Sequence, residues 1–340
     1  MKPFPWHRAA LETLMAKRER LPHALLVHGP SGIGKAQFAR ALAASVLCES
    51  PRAGVACEAC PACHWFSQGN HPDYREIVPE AAAEEEEGEA EGTKADKAKS
   101  LLIKIEQIRA VADFISLTTH RAGYRVLLID PAEALHPAAA NALLKTLEEP
   151  PPHTVIILVS DRPARLLATI RSRCRLLALP MPKSAEALEW LRAQGVPEPG
   201  AALASAGGAP LLARDLAEAP EAELRKRVLG ELARPGGADP LQFAANMERA
   251  SVERFIYWMQ TWVQDLVRMR LAGDVRHHGE FAAVLKSRAR AADLEALFAL
   301  DRELASARAL ASHPLNPRLL AEHLLMAYNR ATAGKADTRD

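Results

Sequence analysis

Four of the five cysteines are crowded into one stretch, CESPRAGVACEACPAC, as Cys48, Cys57, Cys60 and Cys63. In a cytoplasmic chain the spacing C-x8-C-x2-C-x2-C points to a metal site before it points to disulfides. Four thiolates make a closed tetrahedral shell suited to zinc, with no position left for a substrate, so the predicted role of the ion is structural. His64 and His71 are nearby, but four sulfurs already complete the shell. A second constellation precedes the cysteines. GPSGIGKA, Gly29 to Ala36, follows the phosphate-cradling pattern G-x-x-x-x-G-K-[ST] up to its last position, where alanine stands in place of the hydroxyl that holds magnesium. The strand RVLLID supplies Asp130, but Pro131 follows where a water-activating carboxylate is needed, and Glu133 is two residues further on. Gly29, Gly34 and Lys35 keep the donors and charge for a phosphate, so the residues leave nucleotide binding open while arguing against hydrolysis. The third constellation is TIRSRC, with Arg171, Arg173 and Arg175. One alternative is an ordinary solvated basic face. The other is a guanidinium offered in trans to a transferring phosphoryl group on a neighbouring chain.

These groups need a scaffold, and the apolar pattern describes one. HALLVHG reads as a strand running into the glycine loop, and AQFARALAASVLC as the helix after it. IKIEQIRAVADFISLTT has Ile105, Ile108, Ala112 and Ile115 on one helical face. YRVLLID is a second strand, PAAANALLKTLEEPPP a helix with a proline start and a proline stop, and TVIILVS a third strand. ARLLATIRSRCRLLALP is a helix entering a further strand. Fully apolar strands alternating with helices predict a parallel sheet covered on both faces, hence an α/β nucleotide-type domain over residues 1–180. Within it, residues 80–100 (EAAAEEEEGEAEGTKADKAKS) form an acidic, low-complexity insertion with too little apolar surface to build a core. Beyond residue 180 no strand is evident. Residues 181–222 read as a small helical domain, and residues 223–335 as a second helical one whose helix FIYWMQTWVQDLVRMRL buries Phe255, Trp258, Met259, Trp262, Leu266 and Met269 along one stripe.

Composition narrows the choices. With 43 basic and 42 acidic residues in 340, no whole-chain field draws the protein to nucleic acid or to an anionic membrane. The first residues contain no apolar signal core, and no later stretch is long enough to span a bilayer, so a cytoplasmic protein is expected. A zinc-containing nucleic-acid-binding module would need basic residues around the cysteines, whereas that stretch is nearly neutral and is followed by the acidic run.

GPSGIGKA, the cysteine cluster, HPDY, NALLKTLEEPP and LLATIRSRCR, in this order, resemble the AAA+ subunits of the bacterial DNA polymerase III clamp loader. The resemblance is strong over residues 1–180; the helical remainder matches in length and character. It implies an AAA+ α/β domain, a helical lid and a C-terminal helical collar. It also implies a hetero-pentamer with motor subunits of the gamma/tau type and a delta subunit, which acts on the sliding clamp and on primer-template DNA. Among these subunits the chain looks most like the stator, which does not hydrolyse ATP but lends the arginine of an S-R-C motif, here Arg173, to the motor beside it. In this family the cysteine cluster binds zinc. The motors also carry a lid arginine that touches nucleotide, where this sequence has Pro210 in GGAP. Ala36, Pro131 and Pro210 are thus three losses in three parts of one site. The alternative within the family is an active motor ATPase with an unorthodox site, and the missing hydroxyl and carboxylate argue against it.

Overall fold

Apolar runs closed by Gly, Pro or Asp become four of the five strands of one sheet. The computed structural model describes residues 2–82, 100–116, 123–310 and 316–333. Its strands are β1 (Ala24–His28), β2 (Tyr74–Ile77), β3 (Arg125–Ile129), β4 (Thr154–Ser160) and β5 (Arg175–Ala178). Their order is β2-β3-β4-β1-β5, and every neighbouring pair is parallel. β4 lies at the centre and is buried along its whole length, which is why TVIILVS carries no alternation of apolar and polar residues. β2 was not anticipated from sequence: YREI mixes charge with apolar residues because it is an edge strand, with Arg75 exposed and Ile77 buried.

The helices of this half are α1 (Arg8–Met15), α2 (Lys35–Leu47), α3 (Pro61–Ser67), α4 (Ile105–Ser116), α5 (Pro137–Glu148) and the single turn α6 (Ala168–Arg171). On α4, Ile108 and Ile115 are buried in the core they were expected to join. α5 starts with Pro137 and stops before Pro150, as expected from its flanking prolines. Ligands of parallel α/β sheets sit at the carboxyl ends of the strands, and Gly29, Asp130, Asp161 and Leu179 all follow strand ends on that edge. Most of the acidic insertion, residues 83–99, lies outside the described residues.

The chain divides into two compact units, Met1–Glu186 and Ala187–Asp340. The second is helical: α7 (Ser184–Ala193), α8 (Pro199–Ser205), α9 (Pro210–Ala217), α10 (Ala219–Ala233), α11 (Pro240–Ala244), α12 (Val252–Ala272), α13 (Ala282–Ala291), α14 (Leu294–Leu310) and α15 (Pro317–Thr332). One hydrophobic cluster runs through it from Ala187 to Ala331. α12 is its axis: Phe255, Trp258, Met259, Trp262 and Leu266 are buried, and Met269 packs against the cluster half-buried. The Trp262 indole N–H donates to the Tyr328 hydroxyl at 3.0 Å, which in turn donates to the Leu232 carbonyl at 2.8 Å. α15 begins as its sequence suggests, with Asn316 accepting from the Arg318 and Leu319 amides and Pro317 in the first turn.

Asp265 is a charged group fully enclosed in this core. The carboxylate of Asp265, 0% exposed, accepts from the backbone amides of Arg276, His277 and His278 at 2.8–3.2 Å. It thereby fixes the loop after α12. Asp265→Ala strands these donors, and at ~1–3 kcal/mol for each buried group left unmade the expected loss is about 3 kcal/mol or more. Asp265→Asn retains one acceptor oxygen and should fall in between. Denaturant unfolding followed by tryptophan fluorescence reads this directly, because Trp258 and Trp262 lie in the same core; a shift below ~1 kcal/mol for Asp265→Ala would contradict the assignment.

Candidate nucleotide, metal and arginine sites

The glycine loop is built as its pattern requires. Gly34 caps α2 with φ 89°, a left-handed conformation that favours glycine. Gly29 has no room for a side chain, since a Cβ there would lie 2.3 Å from the Leu179 carbonyl oxygen. What fills the space around the loop is the chain itself. A Cβ on Gly34 would meet the Phe4 ring at 2.4 Å, and Phe4 stacks on Trp6 at 4.9 Å between ring centroids. The Trp6 indole N–H donates to the Ile33 carbonyl at 2.9 Å. His7, 1% exposed, packs edge-on against Phe38, and burial together with the nearby Lys35 charge lowers its pKa to about 4.

Lys35 is engaged within the loop. Its ammonium is 2.5 Å from the Asp161 carboxylate, which follows β4, and donates to the Pro30 carbonyl at 2.5 Å. Only 4% of Lys35 is exposed. Ala36 follows it with no side-chain oxygen to offer a metal ion. At the neighbouring strand end, burial and then the Glu76 charge raise the Asp130 pKa to about 6. Glu133 is occupied too: its Oε1 accepts from the Asp161 and Arg162 amides at 3.0 and 3.2 Å. It thus braces the turn after β4, and Pro131 leaves the expected carboxylate position empty of acid. Pro210, in the second unit, is buried at the start of α9 behind Gly207 and Gly208, both left-handed.

The structure brings the four cysteines of the cluster together. Their sulfurs all lie within 4.8 Å of one another, with Cys48–Cys60 at 3.8 Å and Cys57–Cys63 at 3.9 Å. Zn–S bonds of about 2.3 Å put the sulfurs of a tetrahedron roughly 3.8 Å apart, so the donor set fits a tetrahedral ion. Local structure prepares this. Cys48 ends α2, the chain reverses through Ala53 and Gly54 (φ 49° and 78°), and Cys60 caps α3. Amides approach the sulfurs, Cys57 N to Cys48 Sγ at 3.3 Å and Cys63 N to Cys60 Sγ at 3.5 Å. The amides of Ala59 and Cys60 hold the Cys57 thiol down at about 6, whereas burial raises Cys48 and Cys63. Arg18 ties the module to the domain through the carbonyls of Val46 and Cys48, at 2.6 and 3.1 Å. His64 is exposed on α3, and His71 is buried with its Nδ1 accepting from the Asp73 amide at 3.0 Å.

Arg173 follows the α6 turn, between two anchors. Ile170 is 0% exposed, and Cys174 lies in the core, where burial raises its thiol to about 11. The Arg173 side chain is 34% exposed; its Nη1 donates to the Thr169 carbonyl at 2.9 Å and its Nη2 pairs with the Glu148 carboxylate. Arg171 and Arg175 are exposed and form no ion pair with the described residues. Sequence reasoning missed the partners Glu148, Asp161 and Phe4. Only the aromatic and proline-rich start, PFPWH, carried a local signal that something packs there.

A family model described as "DNA polymerase III, delta subunit" matches residues 8–183. The DNA polymerase III subunit delta' of Pseudomonas aeruginosa is 37% identical over 80% of this chain and 79% of that protein. The subunit of the same name from Escherichia coli K12 is 33% identical over 82% and 78%. Among solved structures, a DNA polymerase III gamma subunit-related protein from Thermotoga maritima aligns over 96% of this chain and 99% of that one, at 18% identity and a TM-score of 0.42. That likeness is too loose to add to the topology read from the sheet itself. Among the described residues, no helix is long and apolar enough to cross a membrane.

Proposed function

The chain belongs to the DNA polymerase III delta' family, and from that premise we propose that it is the non-hydrolysing stator of a clamp loader, working in DNA replication in the cytoplasm. In this reading it assembles with gamma/tau-type motor subunits and a delta subunit into a hetero-pentamer that acts on the sliding clamp and on primer-template DNA. Residues 181–222 serve as lid and residues 223–335 as the collar that holds the ring together. The four cysteines hold one structural zinc ion, which stiffens the module at the end of α2 and takes no part in catalysis.

The observation that carries the reading is the state of Lys35. In a working site this ammonium faces the β- and γ-phosphates. Here Asp161 and the Pro30 carbonyl take its charge and two of its three donors inside the loop, and the next residue is Ala36. A nucleotide would have to break the ion pair between the buried Lys35 ammonium and the exposed Asp161 carboxylate, and it would still lack a magnesium ligand and a water-activating acid. The retained glycines are explained by packing: Gly29 against Leu179 and Gly34 against Phe4. The chain's catalytic contribution is then Arg173, offered to the site of the motor beside it.

The direct test is ATP turnover by the isolated chain. We expect none above the blank, and we expect Lys35→Ala, placed in the assembled clamp loader, to leave loading nearly unchanged. Turnover by the isolated chain that disappears in Lys35→Ala would refute the reading.

A further inference from the structure

Resting on the trans-acting role of Arg173, we infer that Glu148 is the positioning residue for that arginine: it holds the guanidinium in the orientation from which it reaches a neighbour's phosphate. Glu148 is the last residue of α5, and its carboxylate pairs with Arg173 Nη2. The Arg173 Nη1 donates to the Thr169 carbonyl, with the Ser172 hydroxyl at 3.4 Å. Two points of support fix a side chain that would otherwise sample many rotamers. A guanidinium has five N–H donors in a rigid fork, so these bonds leave others for a phosphate.

Stability does not account for this pair. Glu148 and Arg173 are 49% and 34% exposed, and ion pairs that wet contribute little to folding. A carboxylate at the C-terminal end of a helix also faces the negative end of the helix dipole, where acids are disfavoured. Glu148 therefore sits against its own helix's field, opposite a cation the core does not need. The neighbouring Glu149 is exposed as well and forms no ion pair with the described residues, and of the three arginines in TIRSRCR only Arg173 pairs with an acid among the described residues. Selection of one acid and one arginine from a field of similar residues is what a positioning contact looks like.

The test uses the full chain reconstituted with gamma-type and delta-type subunits, reading kcat and KM for ATP separately in the presence of primed DNA. Glu148→Gln should lower kcat about tenfold at the site Arg173 serves, because a small misplacement of a reacting group costs rate and not substrate affinity. KM for ATP, subunit assembly and the chain's thermal midpoint should stay at wild-type values. Glu148→Asp should recover part of the loss, Glu149→Gln should match wild type, and Arg173→Ala with Glu148→Gln should be no worse than Arg173→Ala alone. Wild-type kcat in Glu148→Gln beside an impaired Arg173→Ala would overturn the positioning role and leave the trans-acting arginine standing. Full additivity of the two substitutions, or an equal loss in Glu149→Gln, would overturn it as well. Wild-type kcat in Arg173→Ala would instead remove the premise, and the inference with it.

Discussion

Cys60→Ser should strip the metal from the chain and lower the thermal midpoint of the first unit by roughly 6–12 °C. The magnitude comes from a loss of at least ~3 kcal/mol, well below the ~10 kcal/mol or more that structural zinc contributes to small peptide modules. Here α2 is also held by its own buried face against the sheet, so the module leans on the ion less than an isolated peptide does. In a unit of this size each kcal/mol moves the midpoint by about 2–4 °C. Serine is chosen with care. Cys60 caps α3 by accepting from the Cys63 amide, and serine is among the preferred helix caps, so the substitution keeps the cap and removes the thiolate. Arg18 continues to hold the Val46 and Cys48 carbonyls, which confines the damage to the loop from Cys57 to Cys63. Elemental analysis of wild-type protein prepared without chelator should give about one zinc per chain. Zinc-free wild-type protein, or a Cys60→Ser variant that melts like wild type, would remove the metal from the account.

The sheet and the cysteine cluster were legible because their signals are local. TVIILVS is apolar from Val155 to Val159 since β4 is buried along its whole length, and four thiols spaced by a few residues need only one turn and one helix cap to converge. β2 was hidden by its edge position, where Tyr74, Glu76 and Arg40 form a polar network that a strand pattern does not describe. The fate of the phosphate loop was half legible. Ala36 and Pro131 can be read directly as losses, but the pairing of Lys35 with Asp161 and the cover given by Phe4 join residues far apart in the chain, and no motif records them. Arg173 stood out by resemblance alone; as a sequence, TIRSRC also describes a wet basic face. Its distinction from Arg171 and Arg175 is physical, and it rests on the neighbouring Glu148, which the motif NALLKTLEEPP contains without announcing its partner.

Replacing Arg173 should have the largest kinetic effect in the protein. A guanidinium supplied in trans is worth ~10³–10⁵ in phosphoryl-transfer rate in systems where it has been removed, so Arg173→Ala should cost about 10³-fold or more at the motor site it serves. Total turnover of the assembly should fall less to the extent that sites not served by Arg173 keep working. Arg173→Lys should be nearly as harmful, since an ammonium carries the charge but not the planar fork that matches a phosphate. Stability should hardly change: the side chain is 34% exposed and its anchors are Ile170 and Cys174, not its own charge. Arg171→Ala and Arg175→Ala are the controls, expected to turn over ATP like wild type. Equal effects from all three substitutions would return TIRSRC to a solvated basic surface.

The central claim is that this chain hydrolyses nothing itself and yet is required for hydrolysis by its neighbours. Omission and add-back tests it most directly: DNA-stimulated ATPase is measured for gamma-type and delta-type subunits alone, for this chain alone, and for all of them together. The account predicts silence from this chain alone, little stimulated turnover without it, and full turnover when it is added back and found in the assembly by mass. Turnover by the chain alone, or unchanged stimulation in its absence, would contradict the account.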